Sequence, residues 1–203
     1  MPFAVSIMTK VNLGLSMIAA PTYIISERVS FLSYGQTEYI AQGIMLIIMC
    51  IAVKKFKPMY LTSYLTSVIY GTVLDLFIWL EKGWVVEALW LRLVLFVVGM
   101  VLTSVGVALF INTYLAPCAW DYFVRTVVEE KQLDLRKFKV GYDFCFLIIS
   151  VALTLLLFHR FVGITWGTLV IAVCNGNIIA FLDKLMNKTF DYYDAFPKLA
   201  KHF

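Results

Sequence analysis

Long apolar stretches alternate with short polar segments along the whole chain. A helix needs roughly 20 apolar residues to cross about 30 Å of hydrocarbon, and about six stretches come near that length. They are Val11–Ser26, Glu38–Val53, Met59–Leu80, Val94–Tyr114, Tyr142–Phe158 and Val162–Phe181. The pattern therefore predicts an all-α, polytopic membrane protein with about six transmembrane helices.

The composition favours a lipid environment. Of the 203 residues, 62% are hydrophobic and 15% are charged, and the mean hydropathy is +0.86. Soluble domains are about half apolar and a quarter charged, so the surplus apolar surface must face lipid. The first stretch follows Lys10 without a small-residue cleavage site, so we expect a retained helix and not a signal peptide. Residues 1–203 are expected to form a single transmembrane domain.

Lysine and arginine are distributed unevenly between the two ends of the predicted helices. With six spans, thirteen of the seventeen fall on the side of the N-terminus. The other side receives Arg28, Lys82, Arg92 and Arg160. Because positive residues remain on the cytoplasmic side, both termini are predicted to be cytoplasmic, in the plasma (inner) membrane of a bacterial cell. This placement explains the net charge of +4 without a nucleic-acid partner.

Two segments mix charged and apolar residues at helical spacing. Cys118–Val140 lies between the fourth and fifth predicted helices and suits an amphipathic helix in the membrane interface. Residues 186–203 have a similar character and are expected to form an amphipathic tail on the cytoplasmic surface.

The second half of the chain resembles the first at an offset of 105 residues, which aligns 36–80 with 141–185 without a gap. Glu38 then matches Asp143, and Gly71 matches Gly176. Upstream the offset falls to about 83, which matches the first helix with the fourth. The repeats cover about 9–82 and about 90–185. Three spans per repeat predict two inverted halves with a polar site near the membrane midplane, although chance matching of apolar residues is the alternative.

Three stretches resemble the YczE/YitT-like family of poorly characterised bacterial membrane proteins. They are Leu115-Ala-Pro-Cys-Ala-Trp-Asp121, the acid at the start of the fifth helix, and Gly163-Ile-Thr-Trp-Gly-Thr168. The first half departs from the pattern, since Leu32-Ser-Tyr-Gly-Gln-Thr-Glu38 replaces the Pro-Trp-Asp-like turn. The resemblance implies the two-half plan and no defined activity.

Ionisable groups inside a membrane need a reason, because each costs roughly 2.5–3.5 kcal/mol on insertion scales. Asp75 is the deepest, and it is either a proton, cation or substrate site or an acid near the outer interface. Glu38 and Asp143 open matched helices, where a carboxylate either caps the helix or lines a vestibule. Arg28 is a candidate partner for Glu38, and a basic residue among 136–139 for Asp143.

Asn175, Gly176 and Asn177 place two amides around a glycine inside an apolar span. They either line a polar site or bond a neighbouring helix, and the glycine permits close approach. Tyr70 and Gly71 are their counterparts in the third helix, and Tyr70 could stack on a planar ligand. Pro21 should kink the first helix, and other polar groups could share a cavity: Ser16, Thr22, Ser104 and Asn112.

The sequence offers no nucleophile, base and acid set, phosphate loop or metal-ligand spacing, so we expect neither an enzyme, a cofactor nor a metal site. The four cysteines read as buried thiols. The five tryptophans suit an interfacial aromatic belt.

Three functions remain open: a small-solute secondary transporter, the substrate-capture subunit of an ATP-driven importer, and a non-transporting scaffold or assembly factor. The first, our preferred hypothesis, predicts counterflow blocked by changes at Asp75 or Asn175. The expected partners are the lipid bilayer, a small-molecule solute, and a second copy or another membrane subunit.

Overall fold

The computed structural model describes residues 1–112 and 117–189. This part of the chain is all-helical. The helices are α1 (Pro2–Val11), α2 (Ala20–Arg28), α3 (Tyr34–Val53), α4 (Met59–Leu80), α5 (Leu89–Asn112), α6 (Ala119–Lys131), α7 (Leu135–Phe158) and α8 (Trp166–Thr189).

Five helices, α3, α4, α5, α7 and α8, are long and apolar enough to cross a membrane. A multi-pass membrane protein is thereby supported, with five such helices where the apolar pattern predicted about six. The bounds predicted for α4 are correct at both ends. Helix α7 begins at Leu135, seven residues before the predicted Tyr142, because its charged first turns continue the helix from the Asp134 cap.

The predicted first span, Val11–Ser26, is wrong as a single helix. The chain leaves helical geometry at Asn12 (φ 49°) and Gly14 (φ 117°), so α1 and α2 are separate short helices. Arg92 of α5 stabilises the break, because its guanidinium donates to the carbonyls of Val11 and Asn12 at 2.7 and 3.3 Å. These are the carbonyls that a helix end leaves without partners.

The break is also held by the chain just before α8. The Leu15 amide donates to the Gly163 carbonyl at 3.1 Å, and the Thr165 hydroxyl donates to the Leu13 carbonyl. Backbone groups that no longer bond along a helix are therefore satisfied by a segment about 150 residues away in sequence.

Helices α2 and α6 both begin beside the middle of α3 and run towards its opposite ends. Ile18, just before α2, packs in one cluster with Ala41 and Met45 of α3, and α2 then runs back towards the start of α3. Helix α6 begins beside Gln42 and runs towards the C-terminal end of α3. Near that end Glu130 forms an ion pair with Lys55 at 2.7 Å.

The predicted amphipathic helix at Cys118–Val140 is wrong as a single helix. Helix α6 ends at Lys131, since Gln132 adopts a left-handed conformation (φ 53°). Its first turn is inserted into the helix bundle, where Ala119 is fully buried, while Asp121 and Arg125 are exposed on its other face. The rest of the segment belongs to α7.

The long helices form two closely packed pairs. Helices α3 and α4 cross at Gly35 and Gly71, where the backbones are so close that a side chain at either position would overlap the other. Helices α5 and α8 run parallel, with hydrogen bonds from Ser104 to Asn175 at 2.7 Å and from Asn112 to Asp183 at 2.6 Å.

Candidate functional site

Glu38 is the centre of a buried polar cluster, which we term the Glu38 site. Its side chain is 4% exposed. The Thr22 hydroxyl donates to Oε2 at 2.6 Å, and the Trp120 indole N–H donates to Oε1 at 2.7 Å. The Gln42 amide, one turn further along α3, donates to Oε1 at 3.3 Å. Three helices thus contribute donors to one carboxyl group.

Gln42 extends the site to α4 and α6. Its Oε1 accepts from the Ser67 hydroxyl at 2.5 Å and from the Ala119 backbone N–H at 3.0 Å. The Ser63 hydroxyl, one turn before Ser67, donates to the Pro117 carbonyl at 2.6 Å. Gln42 therefore satisfies one of the amide groups that the N-terminus of α6 leaves without a helical partner.

The local sequence explains why the two short helices begin where they do. Pro21 lies in the first turn of α2, where its lack of an N–H costs nothing. Pro117 restricts the chain just before α6, and Cys118 is extended (φ −56°, ψ 152°). Both helices consequently start beside Glu38, and a side chain from the first turn of each helix donates to its carboxyl group.

The donors to Glu38 are all neutral. Among residues 1–112 and 117–189, no ion pair includes this carboxyl group. The described surroundings of Glu38 therefore supply hydrogen-bond donors and no ion-pairing cation.

A cavity of about 570 Å³ lies between the ends of α1, α2 and α4 and the start of α3. We term this cavity the vestibule. Tyr23 and Tyr34 line it, with their rings edge to face at 5.4 Å. The Tyr34 hydroxyl reaches the Ala19 carbonyl at 3.3 Å, beside the start of α2. Tyr34 thus lies between this vestibule and Glu38.

Asp75 has a structural partner in the same region. Its carboxylate accepts from the Ser33 hydroxyl at 2.5 Å and from the Gly35 amide at 2.7 Å, so it holds the N-terminus of α3. It also lines the vestibule. The structure places it at the end of α4 that borders the vestibule, outside the Glu38 site.

The two matched acids have different surroundings. Asp143 is half-buried and pairs with Lys139 at 3.3 Å, which agrees with the expected basic partner among 136–139. The predicted pairing of Arg28 with Glu38 is wrong, because Arg28 is exposed at the end of α2. The donors to Glu38 are Thr22, Gln42 and Trp120.

The candidates on α8 do not reach Glu38. Asn175 accepts from Ser104, as in the interhelical alternative, and the exposed Asn177 donates to the Val173 carbonyl of its own helix at 3.4 Å. The expected close approach at Gly176 is wrong, because a Cβ there would meet nothing within 4 Å. Asn112 bonds Asp183 near the end of the same helix pair.

Tyr70 and Gly71 lie on α4, close to the Glu38 site. Tyr70 is half-buried and packs against the cluster of Val5, Tyr34 and Leu74. Gly71 is at the crossing with α3, and the close packing of the two backbones explains why a glycine is found there.

Sequence reasoning missed three members of the site: Gln42, Ser67 and Trp120. Gln42 follows Glu38 by four residues, and Ser67 follows Ser63 by four, so each pair marks one polar helix face in an apolar span. That signal was available. Trp120 was assigned to the interfacial belt, but it is only 8% exposed, whereas the other four tryptophans are more than half exposed.

The described residues contain no group of three or more His, Cys, Asp or Glu side chains that could hold a metal ion.

Comparison with known proteins gives one match. Residues 1–184 match a family of unknown function, DUF6198. The chain belongs to this family. Neither the curated proteins nor the solved structures contain a match to this DUF6198 chain. Membership of an uncharacterised family is thereby confirmed, while the match does not support the YczE/YitT name.

One buried acid of the DUF6198 chain predicts a pH effect. Glu81 directly follows α4 and is 5% exposed; Ser6 donates to its Oε1 at 2.9 Å, and its Oε2 is buried without a hydrogen bond. Burial raises the pKa of the Glu81 carboxyl, with the Ser6 hydrogen bond and Lys10 opposing the shift. The folded protein then holds the proton more tightly than the unfolded chain. The free energy of unfolding therefore falls as the pH rises from the ordinary pKa of glutamate through the raised pKa of Glu81.

We therefore expect Glu81→Gln to raise the melting temperature in detergent at neutral pH. The gain should disappear below about pH 4, near the ordinary pKa of glutamate, where both states are protonated. Glu87→Gln, at an exposed position, is the control. A gain of equal size at every pH would contradict the assignment.

Proposed function

We propose that this protein transports a small solute across the membrane by alternating access around the Glu38 site. The observation that carries the proposal is that the first turns of two short helices, from opposite halves of the chain, donate to one buried carboxyl group. Interrupted helices whose N-terminal ends face a polar site in apolar surroundings are typical of secondary transporters.

The proposal includes two inverted halves, α1–α4 and α5–α8, with α1 as the sixth crossing and α2, like α6, starting inside the bundle beside α3. The helix contacts support this arrangement, because each contact in the following pairs has a counterpart when the helices of one half are replaced by those of the other. Helix α1 packs on α4 as α5 packs on α8, and α2 packs on α3 as α6 packs on α7. Between the halves, α2 packs on α7 as α6 packs on α3.

One difference between the halves suits a conformational cycle. Helices α3 and α4 pack closely, whereas the backbones of their counterparts α7 and α8 stay further apart within the described ranges. In a transporter built from an inverted repeat, each half adopts the conformation of the other when the site changes from facing one side of the membrane to facing the opposite side. The proposed cycle therefore closes α7 on α8 while it loosens α3 from α4, and opens the site to the other side.

We propose that the vestibule is the route to the site from one end of the bundle. Its volume suits a single small molecule. A solute inside it contacts Tyr23 and Tyr34, and movement of Tyr34 would expose Glu38. We propose that this tyrosine pair is the gate on that side.

The polar core argues against a purely structural scaffold. Thr22, Glu38, Gln42 and Ser67 are all buried, and they connect four helices by hydrogen bonds where apolar contacts would be stable at lower cost. A substrate-capture subunit would share the site but require an ATPase partner, so efflux from vesicles containing this chain alone separates the two.

The test is efflux from proteoliposomes containing the full chain. Vesicles are loaded with a defined pool of amino acids, organic acids, amines and sugars, and each solute is followed by mass spectrometry against protein-free vesicles. We expect at least one solute to leave faster through the protein. Glu38→Gln should slow it by more than about tenfold, the effect of removing one charged group from a buried site.

The variant is chosen to keep the fold. A glutamine retains the acceptor for Trp120, and its amide can donate to the Thr22 hydroxyl, which can accept as well as donate. Glu129→Gln, at an exposed position on α6, is the matched control and should transport like the parent. Absence of any protein-dependent efflux would refute transport; normal efflux through Glu38→Gln would refute the site.

A further inference from the structure

The charged groups around the vestibule are arranged on two sides. Lys10, at the end of α1, and Lys82, just after α4, lie on the side where α1 and α4 pack together. In the described part of the chain, neither lysine forms an ion pair. Lys10 acts on the buried Glu81 carboxyl without pairing with it, so both ammonium groups can contact a negative group inside the vestibule.

The opposite side carries an acid. Glu27 is on the exposed face of α2, one turn after Tyr23, and the backbone of α2 lies closest to α3 and α7, whereas that of α1 lies closest to α4 and α5. Asp75 is the second acid of the vestibule, but both of its oxygens already accept hydrogen bonds at the start of α3. Among the described residues, Glu27 interacts with the Tyr23 hydroxyl alone, so its exposed carboxylate retains acceptor positions for a positive group.

We propose that the vestibule binds small zwitterions of the amino-acid type. The carboxylate lies towards Lys10 and Lys82, the ammonium group lies towards Glu27, and the Tyr23 and Tyr34 rings form the floor beneath the side chain. Opposite charges on two walls recognise both groups of one molecule, whereas a simple acid or amine satisfies only one wall. This inference rests on the proposed function, because the vestibule leads to the Glu38 site.

The experiment is a thermal-shift measurement on the full chain in detergent, since a ligand of the folded state raises the melting temperature. Two sets of probes share a skeleton and differ only in charged groups. One set is alanine, propionate and ethylamine; the other is phenylalanine, 3-phenylpropionate and 2-phenylethylamine. We expect the zwitterion of at least one set to raise the melting temperature, and its acid and amine to act at least about tenfold more weakly.

Two variants test the two walls. Lys10→Met combined with Lys82→Met, and separately Glu27→Gln, should each weaken zwitterion binding by about tenfold, the effect of one charge-assisted contact. Lys131→Met and Glu129→Gln, exposed on α6 and outside the vestibule, should leave binding unchanged. The inference is overturned if no zwitterion shifts the melting temperature, if an acid or amine does so equally well, or if the wall variants bind normally.

The outcome separates this inference from the transport proposal. Binding of a zwitterion without efflux from vesicles would retain the vestibule assignment and refute transport. Efflux that depends on Glu38 but concerns a sugar or a simple anion would retain transport and refute the zwitterion site.

Discussion

Replacing Gln42 by leucine is expected to destabilise the protein by about 2–4 kcal/mol, because it leaves several buried polar groups without partners. The Ala119 amide and the Ser67 hydroxyl lose their acceptor, and Glu38 loses one donor. Leucine has a similar volume, so the loss is one of hydrogen bonding and creates little empty space. For a chain of this size, the melting temperature should fall by roughly 5–15 °C.

Two further variants give an internal scale for this experiment. Ser67→Ala removes a single hydroxyl and should have a smaller effect. Thr72→Val, on the exposed face of α4, removes a hydroxyl that bonds the Val68 carbonyl of its own helix, and should be close to neutral. Melting temperatures in detergent measure all three. If Gln42→Leu melts like Thr72→Val, the buried network has no part in stability.

Gly35→Ala is expected to be the most damaging of the glycine substitutions on the long helices. Its Cβ would overlap the Gly71 carbonyl oxygen and the Asp75 carboxylate, so α3 and α4 would have to separate. Overpacking of this kind costs about 1–3 kcal/mol, and a rigid backbone atom as the obstacle favours the upper part of that range. Because Asp75 holds the start of α3, its hydrogen bonds should weaken as well.

Gly176→Ala is the matched control for this substitution. Both glycines lie within long helices, but a Cβ at Gly176 would meet open space. There alanine should be neutral or stabilise the helix by up to about 1 kcal/mol, because it has the higher helix propensity. Melting curves that rank the two substitutions in the opposite order would exclude the tight crossing at Gly35 and Gly71.

The candidate site illustrates how far residue-by-residue reasoning extends. Glu38 was identified from the cost of placing an acid in an apolar span, and the structure gives it the most elaborate set of partners. Asp75 was selected by the same argument, yet its carboxylate caps a helix. The two roles cannot be separated by sequence position, because they depend on which distant backbone and side-chain groups reach each carboxylate.

Charge partners show the same limit. Lys139 and Asp143 are four residues apart on one helix, so their pairing follows from helix geometry and was predictable. The partner of Glu38 was expected nearby, at Arg28, but Trp120 comes from 82 residues away. Such a contact requires the path of α6 into the bundle, which no local pattern specifies.

By itself, the sequence determined the long apolar helices, their approximate ends and the membrane environment. Helix length and hydrophobicity are local properties, and lipid demands both. Only the tertiary structure decided that the first predicted span is divided into α1 and α2, because Arg92, Gly163 and Thr165 must be present to satisfy the freed backbone groups. It likewise decided that α2 and α6 begin at Glu38, since a buried polar group is stable only where distant parts of the chain supply its hydrogen bonds.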